Sequence, residues 1–206
     1  MDTAATIEMS VTAFAPHEIL YILETVGSTN ANYSRDRLEI ALEADEPNLR
    51  AGLTSLFVRG QVAVSSEVVE LSNVAAAVGF VLTSQARWFE ITNVAEGFND
   101  GAWLVRFEAL ALLIRPQPLA TFEVRLLDPK QAAEWLARTT YDYLREGADR
   151  AVFMTERIQT TSKGLAAKCA SGQLVVEDET GRVVLDGGIN DSKGALESAV
   201  NDFLGK

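Results

Sequence analysis

The chain has 206 residues, enough to bury a full hydrophobic core, either as one domain or as two fused halves. Its 29 acidic and 18 basic residues give a net charge of −11, which disfavours binding to nucleic acid or to an anionic membrane surface. Cys169 is the only cysteine, so an intrachain disulfide is excluded, and the first residues lack the basic and apolar segments of a signal peptide. We therefore expect a cytoplasmic protein without membrane insertion.

The first part of the chain predicts a strand, three helices and a short hairpin, followed by a fourth helix. Ile7, Met9 and Val11 alternate with polar residues, which predicts a strand over residues 6–13. Pro16 suits the first turn of a helix, and Gly27 suits its end. The pattern then predicts a polar loop over residues 28–32 and a second helix, which is capped by Ser34 and ends at Ala44. A third helix is predicted from Pro47 to Arg59, followed by strands at 62–64 and 68–71 and by a fourth helix from Val74 to Gln85.

The middle of the chain predicts a β-hairpin. Residues 88–92 and 103–114 are strand-like, and residues 115–118, which include two prolines, are expected to end the second strand because proline cannot join a central ladder. Between the strands, residues 96–101 predict a turn-rich loop with an acidic, partly apolar tip.

The last part of the chain predicts four strands and two helices. A strand at 120–126 precedes a helix with clear boundaries, since Asp128 can cap it, Pro129 fills its first position and Gly147 follows its end. The pattern then predicts a strand at 152–158, a hairpin of 174–177 with 183–186 and a helix from Ser192 to Leu204, with no assignment for 159–172. Because the strands are joined mainly by short connections, the predicted fold class is α+β, with a largely antiparallel central sheet and flanking helices.

Three pairs of similar segments occur in the same order in the two parts of the chain. Residues 6–11 and 16–23 match 121–126 and 129–136, residues 60–64 match 172–176, and residues 76–82 match 198–204 more weakly. Repeated order of this kind indicates duplication. We predict a single domain made of two related halves, about residues 6–115 and 119–204.

No residue pattern predicts a catalytic or metal site. His17 is the only histidine, and with one cysteine this excludes a zinc site built from those ligands. Cys169 lies among alanines and is predicted to be a buried packing residue. The acidic pairs and triplets lack the spacing of a calcium loop, and no phosphate-binding glycine motif is present. We expect no catalysis, no cofactor and no metal.

Residues 16–71 also have the outline of a winged helix, in which three helices precede two short strands. Many such modules read DNA through their last helix. Here that helix offers only Arg50 and Arg59 in an acidic segment, so we favour a packing or protein-contact role. A winged-helix transcriptional regulator stays open as an alternative. So does a small α+β enzyme, whose acid and base would meet only in the folded chain.

The order of these parts resembles the EspG family, cytosolic chaperones of type VII (ESX) secretion in actinobacteria. Residues 53–64 look like the family's leucine-rich helix, which ends in Arg-Gly before a strand. Residues 81–91 look like its helix-to-strand passage, and residues 103–113 with 122–136 look like its central strands before an Asp-Pro helix. The resemblance covers residues 6–140 best, and residues 27–33 replace an expected proline-rich segment. It implies duplicated halves with pseudo-twofold symmetry and a chaperone function without catalysis.

EspG-like proteins hold secreted PE–PPE heterodimers soluble by covering an apolar tip on the PPE partner. The resemblance therefore implies a protein partner, a PE–PPE-like secretion substrate, contacted by a loop between two central strands. The matching loop contains Glu96, Phe98, Asn99 and Asp100, with Phe98 as an apolar anchor and polar groups at its rim. In the alternative, Phe98 folds back on the sheet in an ordinary hairpin loop. The identity of the partner and the oligomeric state stay open.

Overall fold

A computed structural model describes residues 11–65, 68–147, 149–157 and 162–205. These residues contain six α-helices and eleven strands. The helices are α1 (Pro16–Val26), α2 (Thr29–Arg37), α3 (Glu46–Val58), α4 (Asn73–Thr83), α5 (Pro129–Arg145) and α6 (Lys193–Leu204). The strands are β1 (Val11–Phe14), β2 (Val62–Ser65), β3 (Val68–Leu71), β4 (Arg87–Ala95), β5 (Phe98–Phe107), β6 (Leu110–Gln117), β7 (Thr121–Leu127), β8 (Arg150–Arg157), β9 (Ser162–Ala170), β10 (Gln173–Asp178) and β11 (Val183–Gly188).

Nine of the strands form one sheet, in the order β1-β7-β6-β5-β4-β8-β9-β10-β11. The pairs β1–β7, β6–β7, β4–β8, β8–β9, β9–β10 and β10–β11 are all antiparallel. Strands β2 and β3 form a separate antiparallel hairpin. The α+β class with a largely antiparallel sheet and flanking helices is therefore confirmed.

The chain forms two compact units whose segments alternate along the sequence. The first unit contains the described residues up to Ala86 together with Val105–Leu127, and the second contains Arg87–Leu104 together with the described residues from Asp128 onward. In the first unit α1 is central, since Ile19, Leu20 and Leu23 are almost fully buried. In the second unit α5 and α6 contact each other and cover β8 and β9. The duplication into related halves with pseudo-twofold symmetry stays a prediction.

Helix α2 begins earlier than predicted because its cap is Ser28. The Ser28 side chain accepts a hydrogen bond from the Ala31 amide at 3.2 Å, so the helix occupies residues that we had expected in a polar loop. Ser34 is not a cap: it is buried, and its hydroxyl donates to the Leu82 carbonyl of α4. The prediction of a helix from Ser34 to Ala44 was wrong because α2 ends at Arg37, and Glu39 then adopts a left-handed φ of 53°, through which a right-handed helix cannot continue.

The middle of the chain contains one strand more than predicted. Glu108 adopts a left-handed φ of 49° and reverses the chain, so residues 103–114 belong to β5 and β6 rather than to one strand. Residues 115–118 end the strand as predicted. Strand β6 includes Pro116, which lies opposite Phe122 of β7, and it ends at Gln117 directly before Pro118.

The remaining predicted elements are confirmed with small shifts at their ends. Helices α1 and α5 begin at Pro16 and Pro129 as predicted, and Asp128 accepts a hydrogen bond from the Lys130 amide at 2.8 Å. Only the end of the strand predicted at 6–13 is described, as β1, and residues 6–10 lie outside the described residues. Strand β9 occupies most of the unassigned segment, and residues 158–161 also lie outside the described residues.

Candidate protein-binding surface

Helix α3 is held against α1 by a close approach at Gly52. A Cβ atom added to Gly52 would overlap the His17 carbonyl oxygen and would lie 2.7 Å from Tyr21 Cβ. No side chain fits between two helix backbones at this separation, so glycine is required here. Only Gly52 and Leu56 of α3 are buried, which leaves most of the helix facing away from the core.

A buried carboxylate fixes the carboxyl-terminal end of α3. Glu18 of α1 is 1% exposed, and its oxygens accept hydrogen bonds from the Ala15 amide and the Ser55 hydroxyl, both at 2.7 Å. Arg59 Nη1 lies 2.8 Å from both carboxylate oxygens of Glu18. Arg59 Nη2 donates a hydrogen bond to the Ala13 carbonyl of β1 at 2.6 Å. The network therefore joins α1, α3 and β1, and it occupies the guanidinium of Arg59.

The outer face of α3 exposes apolar side chains. Phe57 and Val58, in its last turn, are 55% and 78% exposed. The other exposed residues of the helix recur at three- or four-residue spacing and so lie on one face with them: Glu46, Pro47, Arg50, Ala51 and Thr54. A shallow groove of about 540 Å³ runs along this helix, with Pro47, Ala51 and Val58 among the residues that line it.

The hairpin of β2 and β3, which follows α3, has a further exposed valine. Val62 is opposite Leu71 and Val64 is opposite Val69, so these four side chains share one face of the hairpin. Val62 is buried and Leu71 lies against Gly79 of α4, whereas Val64 is about half exposed. The inner end of this face thus belongs to the core, and its outer end faces solvent.

We name the exposed side chains of Phe57, Val58 and Val64 the α3–hairpin surface. Helix α3 contacts β2, and the Gln61 amide donates to the Leu56 carbonyl at 2.8 Å in the turn that connects them. The three residues therefore lie on adjacent elements of the first unit. Large exposed apolar side chains on neighbouring elements are typical of a protein-interaction surface.

The predicted contact loop is shorter than expected. Only Glu96 and Gly97 form the turn between β4 and β5, and Gly97 has a left-handed φ of 71°. Phe98 is the first residue of β5, and its side chain lies outside the described part of the structure. Glu96 and Asn99 are exposed, and Asp100 is half-buried. The backbone thus brings these four residues together at the tip of a tight hairpin rather than in an open loop.

Cys169 and His17 lie in regular secondary structure. Cys169 is buried in β9, as predicted, and His17 lies in the first turn of α1. Among the described residues, no group of three or more His, Cys, Asp or Glu side chains is placed to hold a metal ion. Within the same residues, no helix has both the length and the apolar character needed to cross a membrane.

The sequence matches no protein-family model and no curated protein. The assignment of a function therefore depends on the surfaces that the fold exposes.

Glu18, Ser55 and Arg59 were not predicted as a group from the sequence. One local signal was available, because a glutamate three residues after the residue that precedes a helix often hydrogen-bonds back to its start. The partners Ser55 and Arg59 are 37 and 41 residues away from Glu18, so no local pattern could assign them. The exposure of Phe57 and Val58 could not be predicted from the sequence either, since apolar residues at a helix end usually indicate burial.

Proposed function

We propose that this protein is a cytoplasmic, non-enzymatic secretion chaperone or adaptor that binds a PE–PPE-type or related type VII secretion substrate. The observation that carries the proposal is the α3–hairpin surface, on which Val58 is 78% exposed beside Phe57. A chaperone that covers an apolar tip of its substrate requires an exposed apolar surface of its own. The resemblance to the EspG family supplies the class of substrate.

The hairpin tip at Glu96, Phe98, Asn99 and Asp100 is the second contact that we propose. Its turn is tight, and the carboxylates of Glu96 and Asp100 lie at its end. In this proposal the tip is a polar contact on the second unit, and the α3–hairpin surface of the first unit provides apolar area that is removed from water.

The proposal is tested by co-expression of the chain with a PE–PPE pair, followed by size-exclusion chromatography with light scattering. A ternary complex is expected. The double variant Phe57→Ser with Val58→Ser should weaken that complex by at least about tenfold, since burial of one large apolar side chain contributes about 1.5–3 kcal/mol.

The matched control is Leu119→Ser, which removes an apolar side chain that is 95% exposed and lies outside the α3–hairpin surface. This variant should form the complex as the unmodified chain does. Failure of the chain to form a complex with any PE–PPE pair would contradict the proposed substrate class. Equal weakening by both variants would contradict the proposed surface.

A winged-helix regulator is the second candidate, and the observed order α1-α2-α3-β2-β3 favours it. The small number of basic side chains on the exposed face of α3 makes DNA binding by this helix less favourable. Arg59 is engaged by Glu18 and Ala13, which leaves Arg50 as the arginine on the exposed face of the helix. A salt titration of DNA binding separates the two candidates, because a DNA-binding module shows a steep dependence of affinity on salt concentration.

A further inference from the structure

A second concave surface lies in the second unit, between α6 and the strands that it covers. This groove has a volume of about 640 Å³ and is lined by residues of β9, the β10–β11 turn, β11 and α6. Helix α6 is fixed above it by Phe203, whose ring meets that of Phe89 edge-on at 5.8 Å between centroids. Because Phe203 also lines the groove, one wall is held in place by the core.

The floor of the groove is apolar. Leu165 of β9 is buried, Val184 of β11 is about half exposed, and Phe203 and Ala199 of α6 are half-buried. An aliphatic side chain placed here would contact apolar side chains of β9, β11 and α6. Burial of apolar area of this kind is the main source of favourable free energy when a peptide docks.

The charged groups around this floor are mostly acidic. Asp178, Glu179 and Asp202 supply three carboxylates and Lys163 supplies one ammonium, a net charge of −2. A hydrogen bond from the Thr180 hydroxyl, together with backbone hydrogen bonds from Arg182 and Thr180, holds the pKa of Asp178 below its ordinary value. Glu179 is exposed and makes no salt bridge within the described residues.

We propose that this groove docks a cationic amphipathic segment of a partner protein, in which an apolar side chain is flanked by lysine or arginine. The apolar side chain lies on Leu165, Val184 and Phe203, and the basic side chain is attracted to the carboxylates at the rim. Charge complementarity selects this occupant, because an acidic segment would be repelled by the net negative charge of the rim, whereas a basic one is attracted to it. The site does not depend on the proposed chaperone function, because its residues belong to the second unit and the α3–hairpin surface belongs to the first.

The test uses two labelled helical peptides of equal length, one with leucine and lysine and one with leucine and glutamate at the same positions. Fluorescence anisotropy with the full chain should show binding of the lysine peptide and much weaker binding of the glutamate peptide. The affinity should fall with added salt. A photoreactive leucine analogue in the lysine peptide should crosslink to β9, β11 or α6.

Two pairs of variants locate the site. Glu179→Gln removes a charge at the rim, and its control Glu197→Gln removes the same charge from a residue of α6 that does not line the groove. Val184→Ser removes an apolar part of the floor, and its control Val183→Ser changes the neighbouring valine, which is 50% exposed against 47% for Val184. The test variants should each weaken binding about two- to fivefold, and the controls should leave it unchanged.

The surface variants Glu179→Gln and Glu197→Gln should both keep the fold, so circular dichroism provides a check that does not depend on binding. The proposal is overturned if the glutamate peptide binds as tightly as the lysine peptide. It is also overturned if neither peptide binds, if each control variant weakens binding as much as its partner, or if the crosslinks fall outside α6, β9 and β11.

Discussion

Glu18→Gln should destabilise the protein far more than an amide substitution at a surface carboxylate. Both oxygens of Glu18 accept hydrogen bonds, from the Ala15 amide, the Ser55 hydroxyl and Arg59, and the side chain is 1% exposed. Glutamine keeps one acceptor oxygen but replaces the other with an NH2 group, which cannot accept. At least one buried donor then loses its partner, and Arg59 loses its counter-charge.

The magnitude follows from burial. An unsatisfied buried polar group costs about 1–3 kcal/mol, and the loss of one partner from a fully buried ion pair costs about 3–5 kcal/mol. Arg59 is 36% exposed and can form replacement hydrogen bonds with water, so the cost should be closer to that of an unsatisfied polar group than to that of a broken buried ion pair. We expect a loss of about 2–3 kcal/mol, which corresponds to a fall of about 4–12 °C in the Tm for a chain of this length.

Differential scanning calorimetry of Glu18→Gln beside Glu90→Gln measures the effect. Glu90 pairs with Arg157 at 3.0 Å, but the two side chains are 39% and 43% exposed. Exposed pairs of this kind contribute less than about 1 kcal/mol, so the Tm of the control should change by no more than a few degrees. Equal Tm values for the two variants would refute the assignment of Glu18 as the buried link between α1, α3 and β1.

Two further predictions concern glycines and the β10–β11 turn. Gly52→Ala should destabilise the protein by at least about 1 kcal/mol, because the added Cβ overlaps the His17 carbonyl oxygen, whereas Gly194→Ala in α6 meets no atom within 4 Å and should be neutral or stabilising. Chemical denaturation distinguishes these outcomes, and a stable Gly52→Ala protein would contradict the close approach of α1 and α3. An NMR titration should give Asp178 a pKa below the ordinary value of an aspartate, and Thr180→Val should raise the pKa towards that ordinary value. Because the folded-state pKa is lowered, the charged carboxylate stabilises the turn at higher pH, and that contribution is lost as the pH falls through the folded pKa. An unchanged Asp178 pKa in the Thr180 variant would contradict the role of the hydroxyl.

Elements with strong local signals could be predicted from the sequence. Proline and its capping acid defined the start of α5, and alternation defined β7. Predictions failed where a distant partner decides the local structure. Ser34 looks like a helix cap until α4 is placed beside it, 48 residues along the chain. The division of residues 103–114 into β5 and β6 depends on a left-handed Glu108, a conformation that glutamate rarely adopts.

The candidate surfaces were predictable to different degrees. The hairpin between β4 and β5 was expected, because two strand-like segments flank glycines, although the tight turn at Glu96 and Gly97 was not. The exposure of Val58 was not predictable, since local sequence cannot show which face of α3 packs on α1. The groove beside α6 is formed by residues between 163 and 203, and Asp202 comes near Asp178 and Glu179 only because α6 packs against β9 and β11.

Hydrogen exchange of the chain, alone and bound to a PE–PPE pair, tests the central claim most directly. If a substrate covers the α3–hairpin surface, amide exchange should slow in the last turn of α3, around Val58, and in β2, around Val64. Amide exchange in α5, which belongs to the second unit, should be unaffected. Protection confined to other elements, or no change in α3 and β2 when the complex is formed, would contradict the claim that this surface binds the substrate.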